Sequence, residues 1–297
     1  MQKTSSPGEP ILNRVILFAL YLAGGLLVFF FGSNYFKLLP TNRNAVYEWA
    51  LTFLLLLVAI ALRLSPRFQR YWGAAFALFL AAFVNVFALG FGTWLIRLWP
   101  KGGSEMQVLA VDKLSESVTK VVPIIALTLL AGDDLGSIFL KRGKLRQSLT
   151  FGLISFGIFA ALFIVIAVVQ SGGPATRGLT ASGISLRTLV RAIPWIVTFC
   201  LANGLMEELW FRGISLKRLA PMLGPGLSVV LTALVFAAPH LGASYTVGWQ
   251  KFAFPVVVFA LGWVNGRVML QTDSIWGSVL FHAGYDLLVI IPVLAAG

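Results

Sequence analysis

The chain has 297 residues, 58% of them hydrophobic and 11% charged, with a mean hydropathy of +0.88. A soluble globular domain carries about 25% charged residues, so this composition excludes a soluble enzyme and implies an all-α, polytopic transmembrane helix bundle. The net charge of +12 is not a nucleic-acid signature, because the basic residues sit in short clusters between apolar runs, as the positive-inside rule and anionic lipid produce.

The apolar runs are taken in chain order. Residues 1–14 are a short polar tail with Lys3 and Arg14. A first run, Val15 to Phe36, is long enough to cross a hydrocarbon core of ~30 Å at about 1.5 Å per residue. It is long for a signal-peptide core and no small-x-small cleavage site follows Phe31, so it reads as a retained helix. A second run covers Ala45 to Leu62, followed by a loop with three arginines between Arg63 and Arg70. A third covers Trp72 to Leu98, with Trp94 and Trp99 as expected interface anchors.

Residues 100–117 are polar and contain glycine. A weaker run follows, Val118 to Ala131, interrupted by Pro123; it is open to an earlier start as an amphipathic helix. Residues 132–148 are basic with Leu135, Ile138, Phe139 and Leu140 interleaved, which suits either a membrane-surface segment or an ordinary cytoplasmic loop. A clean span runs from Leu149 to Val169, then a Gly/Ser/Thr-rich loop from Ser171 to Gly183.

After Arg191 comes the apolar helix that carries Glu207, with a basic loop through Lys217 and Arg218 and a Pro/Gly break at Pro221–Gly226. Three more runs, Leu227 to His240, Phe252 to Met269 and Ile275 to Leu294, bring the total to about eight or nine spans. The expected organisation is an N-terminal set of helices and loops, 1–189, and a C-terminal core, 190–297. A slim majority of the 23 lysines and arginines falls on inside segments when the amino terminus is cytoplasmic. That places Glu207 toward the cytoplasmic side of the cell membrane.

The chemistry is concentrated in the last third. Asn203 to Gly213 puts Glu207, Glu208 and Arg212 in an oily run, where one lipid-facing carboxylate costs roughly 2.5–3.5 kcal/mol. Glu208 and Arg212 are four apart and can pair on one helix face. Glu207 is turned about 100° away on a helix of 3.6 residues per turn and has no partner on its own helix. A buried carboxylate without a cation is suited to taking up a proton, the property of a general base.

The chain's two histidines, His240 and His282, also fall in apolar runs. Each alone is an ordinary core histidine. With Glu207, Glu208, Arg212 and Asp286 on three separate spans, they read as groups that face the bundle interior and meet. His282 and Asp286 are four apart, so Asp286 is expected to accept from one ring nitrogen and orient the other. One feature of depth resists this. If the span at Leu227 starts inside, His240 lies about 20 Å along it and His282 only about 10 Å along its own. The two meet only if the Leu227 span is tilted or broken near Pro239 and Gly242.

The pattern Glu207-Glu208-Leu-Trp-Phe-Arg212, then Phe236-Ala-Ala-Pro-His240, then His282-Ala-Gly-Tyr-Asp286 resembles the CPBP family of CAAX proteases and bacteriocin-processing enzymes, also called the ABI family. The three motifs occur in order, each in its own apolar segment. The resemblance implies an intramembrane endopeptidase, of the type that trims prenylated CAAX proteins. Its partners would be membrane lipids and a membrane-bound peptide or protein substrate, with no nucleic acid. It also implies Glu207 as general base, His240 helping to hold the water, and Glu208 and Arg212 as a supporting ion pair. His282 and Asp286 would line the oxyanion side. The best-known prenyl proteases carry Asn where this chain has Asp286, and an ionised Asp cannot donate to an oxyanion. Orientation of His282 is therefore the expected role of Asp286.

No cofactor is expected. Zinc is the rival reading, since two histidines plus carboxylates are acceptable ligands, but no His-Glu-x-x-His spacing is present. A non-catalytic scaffold or immunity-type binding protein, and a transporter, are further alternatives built on the same residues. Cys200, the one cysteine, lies in an apolar helix and reads as packing, and no intrachain disulfide is available to it.

Overall fold

A computed structural model describes residues 10–32, 36, 39, 41–99, 102–171, 186–243, 248 and 250–296. The loop expected at Ser171 to Gly183 and the tail before residue 10 lie outside the described residues, apart from Ser171 itself.

The described chain is an all-helical bundle. In order, the helices are α1 (Ile11–Gly25), α2 (Thr41–Leu64), α3 (Trp72–Phe91), α4 (Trp94–Leu98), α5 (Glu105–Leu130), α6 (Leu145–Ser171), α7 (Leu186–Glu207), α8 (Leu216–Leu223), α9 (Pro225–Ala237), α10 (Gln250–Thr272) and α11 (Trp276–Ala296). Wide, π-type turns extend α1 through Leu26–Phe30 and α7 through Glu208–Gly213, and a tight 3₁₀ turn, Ala238–Gly242, follows α9.

Six described stretches are long and apolar enough to cross a membrane, at about 1.5 Å per residue. They contain α1, α2, α3, α6, α9 and α10. The exceptions locate the chemistry. Helices α5 and α7, of 26 and 22 residues, are long enough but fall outside that set. Helix α11 contributes a shorter apolar stretch, Trp276–Ile290.

Helix α3 is the most buried of the six spans. Its small residues Ala74, Ala75, Ala77, Ala81 and Ala82 are buried and let neighbouring helices approach closely, the substitute inside a bilayer for a hydrophobic driving force. Helices α6 and α11 are packed tighter still. A Cβ on Gly277 would stand 1.9 Å from the Ser148 carbonyl oxygen. The Gly277 amide donates to the Ser148 hydroxyl at 2.9 Å.

The helix around Val118 to Ala131 does begin earlier, within the polar stretch 100–117: α5 starts at Glu105, capped by Ser104, whose hydroxyl accepts from the Gln107 amide while Gln107 reaches back to the Ser104 amide. That reciprocal cap satisfies otherwise orphaned donors and explains why the helix begins among polar residues. The basic loop after Arg212 contains the amphipathic helix α8, with Leu216, Leu219, Met222 and Leu223 buried. The span from Leu227 ends as an α-helix at Ala237, with Pro239 inside the 3₁₀ turn that follows.

Outside the spans, Lys141 and Lys217 both pair with Asp273 in the turn between α10 and α11. Partial burial pushes the Asp273 carboxyl up, but hydrogen bonds from the two lysines outweigh it and hold the group below the usual carboxylate range. These contacts, with the Lys144 amide on the Thr272 carbonyl at 2.8 Å, tie the basic segment 132–148 to the end of α10. Cys200 is buried with Met106, Ala110, Ile196 and Ala283, where α5, α7 and α11 meet.

Candidate active site

The junction of α7 with its wide turn places Glu207 and Glu208 side by side. Wide helical turns of this kind recur at functional sites because they re-aim side chains without ending the helix. Glu208 points inward and is fully buried, as is Arg212. Arg212 donates from Nη1 to Glu208 Oε1 at 2.7 Å and from Nε to the Gly262 carbonyl at 3.1 Å. Its guanidinium also lies 4.1 Å over the Phe236 ring.

The same oxygen, Glu208 Oε1, takes two further hydrogen bonds. Asn265 Nδ2 on α10 donates at 2.8 Å, and His282 Nδ1 on α11 lies at 2.7 Å. A carboxylate paired with a guanidinium is acceptor-only, so His282 Nδ1 carries a proton and donates it there. That bond fixes the ring and leaves Nε2 facing the other carboxylates: Glu207 Oε2 at 3.5 Å and Asp286 Oδ1 at 3.7 Å.

This corrects one expectation. The group that hydrogen-bonds and orients His282 is Glu208, 74 residues away in sequence, and not Asp286. Asp286 Oδ2 instead accepts from Asn203 Nδ2 at 3.0 Å. The reason is geometric: an (i, i+4) pair shares a helix face, but the carboxylate across the helix interface reaches the ring nitrogen more closely. Asn203 and Asn265 were not assigned roles from sequence. The available signal was a single amide side chain within an apolar run, costly there unless partnered.

The break after α9 resolves the depth mismatch of the histidines. His240 sits in the 3₁₀ turn, and its Nδ1 lies 2.8 Å from the Phe236 carbonyl. A carbonyl oxygen only accepts, so Nδ1 donates and the neutral ring presents a lone pair at Nε2. Both imidazoles pack against the Phe236 ring, with centroids 4.9 Å away for His240 and 5.8 Å for His282.

Burial divides five of the six residues into two sets, His240 being half-buried. The side chains of Glu208, Arg212 and His282 are 0%, 0% and 3% exposed, whereas Glu207 and Asp286 are 19% and 13% exposed. A sealed framework therefore supports an accessible acid. Among the described residues, no group of three or more His, Cys, Asp and Glu side chains is disposed to hold a metal ion.

Gly262 is needed for this framework. A Cβ there would lie 2.5 Å from Arg212 Nη2 and 3.2 Å from both Ala233 Cα and Phe236 Cδ1. The guanidinium is held at two other nitrogens and has little room to yield. Gly262→Ala is expected to destabilise the protein by about 1–3 kcal/mol, an overpacking cost, and to reduce activity with it. Thermal unfolding in detergent measures the first effect; an unchanged midpoint would contradict the tight fit.

Residues 189–288 match a family model described as Type II CAAX prenyl endopeptidase Rce1-like. The matched segment holds all six residues singled out by sequence, and the match supports the resemblance to the CPBP/CAAX protease family. No curated protein and no solved structure matches the chain.

Proposed function

From that family match, we propose that the protein is an intramembrane endopeptidase that hydrolyses a membrane-associated peptide or protein by glutamate-activated water. The observation that carries the reading is Glu207 Oε2, partly exposed and 3.5 Å from His282 Nε2, beside the fully buried Glu208–Arg212 pair. Water attack on an amide needs a base to take the proton and a donor for the oxyanion. Glu207 is the base. His240 Nε2 is the acceptor for the second water proton. His282 Nε2, when the ring is doubly protonated, is the oxyanion donor. The dry surroundings strengthen each of these interactions relative to water.

Asp286 and Asn203 form a second polar wall beside His282. Asp286→Asn keeps an oxygen able to accept from Asn203, and Asp286→Ala leaves that amide unpartnered. The Asn variant is expected to stay within about tenfold of wild type and the Ala variant to lose more, consistent with about 1–3 kcal/mol for an orphaned buried polar group. Equal, complete loss in both variants would remove this role.

The test of function is cleavage of a lipid-anchored peptide by pure protein in liposomes, with and without a metal chelator. The proposal predicts product in both conditions. Absence of product would sink it in favour of a binding protein, and chelator-sensitive cleavage restored by zinc would replace it with a metalloprotease. Comparing membrane proteomes of cells with wild-type and Glu207→Ala protein identifies the substrate, CAAX-like or other.

A further inference from the structure

Two charged side chains inside the bundle have no part in the roles above. The Lys120 side chain on α5 is 5% exposed, and Glu116, one turn before it, accepts from Lys120 Nζ at 2.7 Å. An ionised lysine among apolar helices is costly, so its contacts carry information. The ammonium also lies over an indole. Lys120 Nζ is 3.7 Å from the Trp210 ring centroid, a close cation–π contact to the ring that gains most from one.

Trp210 belongs to the wide turn Glu208–Gly213, three residues after Glu207. Its ring is held from several sides. Nε1 donates to the Ala81 carbonyl on α3 at 3.0 Å. The Phe29 and Phe211 rings pack against it with centroids 4.9 and 5.0 Å away. Phe211 in turn meets Phe236 edge-on at 4.9 Å, and Phe236 touches both imidazoles. A line of rings thus runs from the Lys120 ammonium to His240 and His282. Wide turns of this kind are rare, and this one takes its support from outside its own helix. Regular α winding would turn the residues after Glu208 about the helix axis and take the indole out of these contacts.

We infer that Lys120 is a positioning residue: through Trp210 it holds the wide turn in the shape that keeps Glu207 partly exposed while Glu208 stays buried under His282. This rests on the endopeptidase reading. Lys120 touches no reacting atom. Its effect is on the placement of the base, and a misplaced base slows the chemical step without weakening peptide binding. Glu116 also accepts from Lys113 at 2.7 Å, so removing the Lys120 ammonium does not leave that carboxylate unpaired.

The experiment compares wild type with Lys120→Met, which removes the charge, and Lys120→Arg, which keeps a cation over the ring. Cleavage of a lipid-anchored peptide in liposomes is measured per folded molecule. Lys120→Met is expected to lower kcat by about 10–30-fold at unchanged KM, the size of one desolvated cation–π contact. Lys120→Arg should stay within about threefold of wild type, because arginine makes the same contact. In a Trp210→Leu background, Lys120→Met should cost little further, since the ring it acts through is gone. Wild-type kcat in Lys120→Met, a loss that appears in KM, no recovery with arginine, or additive losses in the double variant overturns the inference. Hydrogen exchange of the full chain without substrate gives a reading independent of turnover. Amides 208–213 should exchange about tenfold faster in Lys120→Met while those of α9 and α11 keep wild-type protection. Equal exchange at 208–213, or protection lost evenly over the bundle, overturns it. If wild type cleaves no peptide, the endopeptidase reading falls and the exchange result alone decides whether Lys120 holds the turn. If Lys120→Met does not fold, Lys120→Gln, which keeps a donor for Glu116, takes its place with the same outcomes.

Discussion

Glu207→Gln is expected to lower kcat by about 10²–10⁴-fold, the usual contribution of a positioned general base, while leaving the unfolding midpoint close to wild type. The amide keeps the shape of the carboxylate but cannot take a proton from water. Its structural cost is small because Glu207 is the partly exposed member of the carboxylate pair, and its nearest charged contact, His282 Nε2, is 3.5 Å away. The adjacent substitution gives the contrast. Glu208→Gln removes the anion on which Arg212, Asn265 and His282 converge at 2.7, 2.8 and 2.7 Å, so it should reduce both activity and stability. Kinetics and thermal unfolding of the two variants, side by side, separate base from framework. A destabilised Glu207→Gln, or one with wild-type kcat, would exchange or cancel these assignments.

Arg212→Met is expected to destabilise the protein by about 3–5 kcal/mol, the cost of breaking a buried pair by removing one partner. The guanidinium and its carboxylate are both fully buried, so Glu208 would be left as an uncompensated charge with a neutral amide and His282 for support. The side chain also contributes its bond to the Gly262 carbonyl and its stacking on Phe236. The double variant Glu208→Gln/Arg212→Met removes both charges. It should recover part of the stability, because the larger share of the single-variant loss is the orphaned carboxylate. It should not recover activity, since His282 would lose its ionised acceptor. Additive destabilisation in the double variant would contradict a coupled pair.

The sequence was informative where chemistry is local to one helix. Glu208 and Arg212 pair as their spacing predicts, and the concentration of ionisable groups in apolar runs pointed to Glu207, His240 and His282. Partners across helices were not legible. Nothing in the spacing indicates that Glu208, rather than Asp286, holds His282, or that Asn203 and Asn265 supply amides from α7 and α10. The first half of α5 reads only as a polar stretch with an open helix start, because Asp112, Lys113 and Glu116 lower its hydropathy. In the fold Lys120 is buried and Lys113 and Glu116 are largely so. Pro239 hinted at the break that holds His240, but the tight turn also depends on how Phe236 is wedged between the two imidazoles.

The central claim is that Glu207 activates water for attack on a peptide bond. The most direct measurement is a single turnover of a membrane-anchored peptide by excess pure protein in ¹⁸O-labelled water, with mass analysis of product and protein. The account predicts one ¹⁸O in the new C-terminal carboxylate of the product and none in the Glu207 carboxyl group. Label in Glu207, which marks a covalent acyl intermediate, or no cleavage by the wild-type protein, would contradict it.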